Sequence, residues 1–196
     1  MSLEARQVSF SYRRGKPILQ TINLTLEAGE WVGLAAPSGR GKTTLCRLLA
    51  GYERPTGGEI LLDGRPLPDR GVCPVQMIWQ HPETALDPRL RLRDTMRETG
   101  VEDRLLHALN IEPAWLDRYP LELSGGELQR FCIARALHPQ TRFLLCDEIT
   151  AMLDLITQAQ IWRFLQEEAG RRGLGLLVAS HNGALLERLC TRIVPL

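Results

Sequence analysis

Hydrophobic and polar residues alternate near the N-terminus in the pattern of paired β-strands. Val8, Phe10 and Tyr12 fall on one face of an extended chain, and serines occupy the other face. After a turn predicted at residues 13–17, residues 18–26 alternate in the same way. The two segments are therefore expected to pair as antiparallel strands.

The rest of the chain alternates between extended and helical patterns. Further strands are predicted over residues 31–36, 59–63, 75–79, 143–146 and 174–180 and near Ile193. Helices are predicted over residues 42–50, 101–109, 125–137, 156–169 and 184–190. Strands that alternate with helices are typical of a mostly parallel sheet covered on both faces. The predicted fold class is therefore α/β, with an N-terminal antiparallel β subdomain.

The segment that follows the strand at residues 75–79 has a different pattern. Pro82 and Pro88 interrupt a loop, and short helical patterns follow. We expect a single domain of 196 residues with a helical subdomain, about residues 81–137, inserted into the α/β core. Residues 1–80 and 138–196 would form that core.

The composition narrows the possible classes of function. Of the 196 residues 44% are hydrophobic, and the formal net charge is +1, which excludes a disordered chain and a strongly basic nucleic-acid module. No nucleic-acid partner is expected. The longest apolar runs are strand-sized, well below the ~20 residues of a membrane span, and the N-terminus lacks a signal-peptide pattern. The five widely spaced cysteines are expected to be reduced and mostly buried.

Residues 36–44 form a glycine-rich loop between a predicted strand and a predicted helix. The backbone N–H groups of such a loop, together with the helix N-terminus, bind phosphate. Lys42 is predicted to reach the β- and γ-phosphates of a nucleotide, and the Thr43 hydroxyl to bind Mg²⁺. The core is therefore predicted to be that of a P-loop NTPase. The nucleotide-binding residues are predicted to be Ala36, Pro37, Ser38, Gly39, Arg40, Gly41, Lys42, Thr43 and Thr44.

Ala36 departs from the usual pattern of this loop, which begins with glycine. An alanine at positive φ would be strained by about 1 kcal/mol. We therefore expect a negative φ at Ala36 and an otherwise normal loop.

Two acidic residues, Asp147 and Glu148, follow the apolar strand at residues 143–146. Parallel sheets bind ligands at the carboxyl ends of their strands, so both acids are expected beside the phosphate loop. Asp147 suits the Mg²⁺ shell, and Glu148 suits a base that orients the attacking water. An acidic pair in this place is also typical of a helix N-cap, but the phosphate loop favours the catalytic interpretation.

Ser124 and Glu127 have the spacing of a capping box at the start of a helix. A well-capped helix would by itself explain this pair. Gly125 and Gly126, however, each weaken a helix by ~1 kcal/mol. They suit a helix N-terminus that a phosphate group must approach closely.

In this order, the motifs resemble those of the ABC-type ATPases, the nucleotide-binding subunits of ABC transporters. The resemblance implies ATP and Mg²⁺ as ligands. It implies that Tyr12 stacks on adenine and that Gln80 contacts Mg²⁺ and water. It also implies that His181 is the switch histidine and that Asp154 is the aspartate of the D-loop. From the residues alone, Tyr12 could be an ordinary strand aromatic and His181 an ordinary surface histidine.

The resemblance also implies a site shared between two subunits. The family signature is present unaltered at residues 123–126. It implies that Ser124, Gly125, Gly126 and Glu127 contact the ATP of the opposing subunit. The implied partners are a second ABC ATPase subunit, identical or related, two transmembrane permease subunits and, indirectly, a solute-binding protein. The implied location is the cytoplasmic face of the inner or plasma membrane.

Residues 80–89, 124–130 and 153–160 are similar to those of the nickel and di- or oligopeptide importer ATPases. Two alternatives stay open. One is a soluble ABC ATPase of DNA repair or translation, although such proteins usually carry two cassettes or a long coiled coil. The other is a catalytically impaired partner subunit, because Ala36, Ile149 and Ala151 depart from the family pattern.

Overall fold

The computed structural model describes residues 1–13 and 15–196. Its strands are β1 (Ser2–Phe10), β2 (Leu19–Glu27), β3 (Trp31–Ala35), β4 (Gly57–Leu62), β5 (Arg65–Pro66), β6 (Val75–Ile78), β7 (Phe143–Asp147), β8 (Gly175–Ser180) and β9 (Arg192–Pro195). Its α-helices are α1 (Lys42–Leu49), α2 (Leu92–Glu98), α3 (Asp103–Ala108), α4 (Gly125–Ala136), α5 (Leu155–Arg172) and α6 (Gly183–Leu189). Short 3₁₀ helices span Pro82–Thr84, Pro113–Asp117 and Pro120–Glu122. The turn predicted at residues 13–17 includes Arg14, which lies outside the described residues.

Strands β2, β1, β4 and β5 form an antiparallel sheet in that order. Phe10 pairs with Leu19, which confirms the predicted pairing of the first two strands. β1 begins earlier than the alternation predicts, because a register shift between Ala5 and Val8 interrupts the two-residue period. Tyr12 was predicted within the strand, but the strand ends at Phe10, so Tyr12 lies just beyond it.

The second sheet is parallel throughout, in the order β6, β7, β8, β3 and β9. Every residue of β7 is buried. Phe143 and Leu145 belong to the core shared with α1 and the antiparallel sheet. Leu144 and Cys146 belong to the core shared with α4 and α5. The predicted α/β class is confirmed, with the antiparallel sheet helping α1 to cover one face.

The carboxyl ends of the parallel strands bring the predicted phosphate-binding residues to one edge of the sheet. The loop to Lys42 follows β3, and Asp147 is the last residue of β7. His181 comes directly after β8. The strand polarity therefore places these three residues together, as parallel sheets do with their ligands.

The segment between β6 and β7 is largely helical, as predicted. α3 lies inside the predicted helix at residues 101–109, and Leu105, Leu106 and Leu109 are buried on its inner face. They join the same apolar core as α4. The assignment of residues 81–137 to a separate subdomain stays a prediction. Within residues 1–13 and 15–196, no helix has both the length and the apolar character to cross a membrane.

All five cysteines are free thiols, as expected. Cys46, Cys132 and Cys146 are buried, whereas Cys73 and Cys190 are half-buried. Burial raises the pKa of the Cys132 thiol to about 12. These groups therefore stay protonated at neutral pH and pack as small apolar side chains.

Candidate functional site

The loop between β3 and α1 has the backbone geometry of a phosphate loop. Gly39 has a φ of 81° and Gly41, the N-cap of α1, a φ of 96°. Both angles lie in the left-handed region that favours glycine. Ala36 is not among the positive-φ residues, which confirms the expectation for that position. The alanine is therefore compatible with the loop.

Lys42 is folded into this loop and is only 5% exposed. Its Nζ donates a hydrogen bond to the carbonyl oxygen of Ala36 at 2.7 Å and to that of Pro37 at 3.3 Å. The same atom lies 3.2 Å from Oε1 of Glu148. The buried ammonium is therefore neutralised by the second of the two predicted acids.

Asp147 and Thr43 meet across the sheet edge. The Thr43 hydroxyl donates to Oδ2 of Asp147 at 2.7 Å. The other oxygen, Oδ1, is buried and accepts no hydrogen bond from any described residue. Burial raises the pKa of Asp147, because the charged form loses its hydration. A hydroxyl beside an unsatisfied buried carboxylate oxygen is a donor set that fits Mg²⁺.

Glu148 lies between Lys42 and His181. Its Oε2 is 2.8 Å from Nδ1 of His181. Its backbone has a φ of 49°, and its N–H donates to the carbonyl oxygen of Ala179 at 3.0 Å. A positive φ costs a residue with a side chain about 1–3 kcal/mol, and such strain clusters at functional sites. The strained backbone aims the carboxylate at the phosphate loop.

A cleft of about 230 Å³ opens beside Lys42, and it is referred to below as the phosphate cleft. It is lined by Ile18, Ser38, Gly39, Gly41, Lys42, Thr43, Thr44, Gln80 and Glu148. Gln80, two residues beyond the end of β6, thus reaches the same cleft as the phosphate loop. Tyr12 is half exposed, and its hydroxyl accepts a hydrogen bond from Arg47 at 3.4 Å.

The predicted capping box at the start of α4 is confirmed. The backbone N–H of Glu127 donates to the Ser124 hydroxyl at 3.4 Å, and the Glu127 carboxylate accepts from the Ser124 N–H at 2.7 Å. This bond from the Ser124 N–H lowers the pKa of Glu127. The lining of the phosphate cleft does not include residues 124–127. The two groups of predicted phosphate ligands therefore lie apart within one chain.

Asp154 is the N-cap of α5. It accepts hydrogen bonds from the N–H groups of Ile156 and Thr157 at 3.0 Å each, and from the Thr157 hydroxyl at 2.7 Å. The bonds from Thr157, followed by that from Ile156, lower the pKa of Asp154. Asp154 is thus bound to its own helix, and its predicted D-loop role stays a prediction.

Comparison with known proteins matches residues 19–151 to the sequence model of the family described as ABC transporter. That match spans more than half of the chain. The chain belongs to the ABC transporter family. Its ABC-type ATPase resemblance is thereby confirmed, and the chain is an ATP-binding and ATP-hydrolysing subunit.

Proteins named nickel import ATP-binding protein NikE are similar over most of their length. That of Rhodospirillum rubrum is 38% identical, with 99% of this chain and 80% of the relative covered. That of Escherichia coli O157:H7 is 35% identical, with 90% and 74% covered. These similarities favour a transport subunit over the alternative of a soluble ABC ATPase.

Solved structures of ABC ATPases have the same fold. A structure described as the ATP binding subunit of an ABC transporter has a TM-score of 0.86 and 25% identity, with 100% of this chain and 86% of that chain covered. The dimeric structure of MJ0796, a bacterial ABC transporter cassette, has a TM-score of 0.85 and 25% identity, with 99% and 94% covered. These matches confirm the predicted fold of this ABC ATPase.

Some features of the ABC ATPase site were missed at the level of sequence. Ile18 lines the phosphate cleft from the start of the second strand region, and Lys42 is paired with Glu148. Gln129, buried on α4, donates to the carbonyl oxygen of Trp79 at 3.3 Å. A polar residue on the apolar face of the predicted helix at residues 125–137 was the signal for this contact.

Proposed function

We propose that this ABC ATPase powers the import of nickel, with peptide-like solutes as the second candidate, through separate membrane subunits. The ATPase mechanism is supported by five side chains that lie together at one edge of the parallel sheet. They are Lys42, Thr43, Asp147, Glu148 and His181. The names of the similar nickel import proteins support the choice of solute. In such an assembly the membrane subunits and a solute-binding protein select the solute.

The phosphate loop would bind the β- and γ-phosphates of ATP through its backbone N–H groups and Lys42. The γ-phosphate would replace the Glu148 carboxylate as the counter-charge of Lys42, which lies 3.2 Å from it without nucleotide. Tyr12, exposed just beyond β1, would stack on the adenine. Binding of ATP would thus release the catalytic carboxylate from its ion pair.

Glu148 would then orient the attacking water and accept its proton. His181 keeps the carboxylate in place through the contact of 2.8 Å between Nδ1 and Oε2. Thr43, Asp147 and Gln80 would hold Mg²⁺, which neutralises negative charge on the phosphates when it is bound. The unsatisfied Oδ1 of Asp147 supports this ligand set.

We infer that the site becomes complete only in a dimer of two ABC ATPase subunits, identical or related. The signature residues would contact ATP in the opposing subunit, because they lie outside the phosphate cleft of their own chain. A Cβ on Gly125 would meet no atom within 4 Å, so nothing in the described residues requires glycine there. Met152, Leu155 and Ile156 are large and exposed on the D-loop and the start of α5, which supports a covered surface.

The contact to the permease subunits would be the loop at residues 81–90, referred to below as the coupling loop. It begins next to Gln80, and Pro82 is buried within it. At its outer end, Arg89 is 86% exposed and forms a forked pair with Asp87, whose pKa the Arg89 side chain lowers to about 2. Contact of this charged tip with a permease subunit would hold the ATPase at the cytoplasmic face of the membrane.

The coupling loop is tested by changing Glu83 and Arg89 together to alanine. Both side chains are exposed, so the soluble ATPase activity and the melting temperature are expected to stay at wild-type values. Uptake into vesicles that contain the whole assembly is expected to fall severalfold. Wild-type uptake would place the contact with the permease elsewhere.

The solute is tested with the same vesicles. ATP supplied to the ATPase subunits should drive uptake of radioactive nickel. Vesicles that contain the Glu148→Gln variant should not take up nickel. A labelled dipeptide offered in parallel distinguishes the second candidate. ATP-dependent uptake of neither solute, in vesicles whose ATPase activity is intact, would overturn the proposed solute.

A further inference from the structure

Three side chains of α4, referred to below as the α4 row, join the helix to residues 79–85, which include the first half of the coupling loop. Gln129, Cys132 and Arg135 donate hydrogen bonds to the carbonyl oxygens of Trp79, Pro82 and Ala85, respectively. Both sets of residues are spaced by three. The middle acceptor, Pro82, begins the first 3₁₀ helix, so α4 contacts this segment at three successive points.

In the α4 row, the contribution of Gln129 to folding stability does not explain why a polar residue is present. Its side chain is buried, with 1% exposure. Its Nε2 donates to the Trp79 carbonyl oxygen at 3.3 Å, whereas its Oε1 is buried without a partner among the described residues. A buried unsatisfied oxygen costs free energy, and an apolar side chain of the same shape would avoid that cost. The bond to Trp79 therefore points to a role in the site.

The carbonyl that Gln129 holds belongs to the residue directly before Gln80. Gln80 lines the phosphate cleft, and Gln129 lies on the helix that begins with the signature motif. We propose that Gln129 is a positioning residue, which fixes the orientation of Gln80 in the cleft and ties it to the signature end of α4. The inference rests on the proposed contact of Gln80 with Mg²⁺ and the attacking water.

Replacement of Gln129 by methionine tests this role, because methionine keeps the length but removes both polar atoms. The melting temperature is expected to stay the same or rise. In the assembly isolated from membranes, kcat is expected to fall about tenfold, since a small misplacement of a catalytic group has effects of this order or more. KM for ATP should change by less than about twofold, since the phosphate loop is untouched. Gln166→Met on the exposed face of α5 is the matched control and should change neither value.

Arg135 provides a second test that does not depend on the folding of the first variant. Arg135→Lys keeps a donor for the Ala85 carbonyl and should retain most of the activity. Arg135→Met removes the donor and should lower kcat. Equal activity of the lysine and methionine variants would contradict the inference that the bonds from α4 position residues 79–85 for catalysis.

A double-mutant cycle with Gln80→Ala separates this inference from the proposed function on which it rests. If Gln129 acts through Gln80, Gln129→Met should have no further effect on kcat in the Gln80→Ala background. Additive losses would overturn the positioning role and leave the role of Gln80 intact. So would a slow Gln80→Ala variant beside a fully active Gln129→Met variant. Full activity of Gln80→Ala would overturn both.

Discussion

The phosphate cleft and the N-terminus of α4 are both expected to bind the phosphates of ATP, but they are built in opposite ways. In the cleft, the ammonium of Lys42 already has partners in its own chain, namely two carbonyl oxygens and Glu148. At the start of α4, Gly125 faces open space. The cleft is therefore pre-organised within one subunit, whereas the signature end offers an open surface that a second subunit can use.

The surroundings of the glycines also differ between the phosphate cleft and the N-terminus of α4. A Cβ on Gly41 would lie 2.8 Å from Cδ2 of Leu19, and its φ of 96° favours glycine in any case. A Cβ on Gly126 would make only an ordinary contact of 3.4 Å with Leu153. The fold of the subunit itself requires glycine in the phosphate loop. At the signature motif, glycine would be required by the ATP of the opposing subunit.

The largest expected effect comes from Glu148→Gln, which keeps the shape of the side chain but removes its basicity. The rate of hydrolysis should fall by about 10²–10⁴-fold, as expected for loss of a general base. ATP with Mg²⁺ should then hold two subunits together, whereas ADP should not. Size-exclusion chromatography with light scattering measures this difference, with the related partner ATPase added where the chain does not pair with itself.

This experiment also tests the comparison between the two regions. A species that stays monomeric with ATP, even with candidate partner ATPases present, would contradict a site shared between subunits. The proposal that the signature end needs a partner would then fail, while the proposed chemistry of the phosphate cleft could still hold.

Local patterns in the sequence predicted much of this site. The phosphate loop, the two acids at the end of β7 and the capping box of α4 each depend on residues close together in the chain. The contacts that join Lys42 to Glu148 and Gln129 to Trp79 could not be predicted, because their partners are distant in sequence and are brought together only by the parallel sheet. A local pattern can mark a buried polar residue such as Gln129 as one that needs a partner, but it does not identify that partner.

The start of β1 shows a different limit. The buried residues of β1 are at odd-numbered positions, Leu3 and Ala5, before Gln7 and at even-numbered positions, Val8 and Phe10, after it. Gln7, at a φ of 49°, lies where the register shifts. A period of two is lost across such an irregularity, so the pattern predicted only the second half of the strand.

Two alanine substitutions, Gly41→Ala and Gly125→Ala, should have opposite effects on stability and dimerisation. The first should lower the free energy of unfolding by about 1–3 kcal/mol, because it places a side chain at a positive φ. The second should leave stability unchanged or slightly higher, since alanine favours helix more than glycine does. It should instead weaken ATP-driven dimerisation about tenfold by obstructing the approach of the opposing phosphate. Denaturant unfolding and light scattering measure the two effects.

A reversed result would contradict the different roles of the two glycines. If Gly125→Ala destabilises the isolated subunit as much as Gly41→Ala does, the signature glycine has a role in its own fold. If Gly125→Ala leaves dimerisation by ATP unchanged, no phosphate approaches that backbone. Either outcome would contradict the proposed division between the two regions.

The smallest expected effect concerns Asp147, whose buried carboxylate is incomplete without a ligand. Burial raises its folded-state pKa above the unfolded value, so the native state binds more protons in the interval between the two. Asp147 therefore costs stability at neutral pH, and this cost disappears as the pH falls through that interval. In the absence of nucleotide, Asp147→Asn should melt at the same or a higher temperature at pH 7, with a difference on the order of 1 kcal/mol. The difference should shrink at lower pH.

Mg²⁺ and ATP should reverse this order, because the ion would satisfy Oδ1 of the aspartate and not the amide of the variant. In thermal unfolding, ATP with Mg²⁺ should raise the melting temperature of the wild type more than that of Asp147→Asn. ATP with a chelator should raise both melting temperatures alike. Equal stabilisation of the two proteins by ATP and Mg²⁺ would contradict the assignment of Asp147 as a metal ligand. The unsatisfied oxygen would then be a defect of the buried strand end, and the phosphate cleft would be complete without a cation at that position.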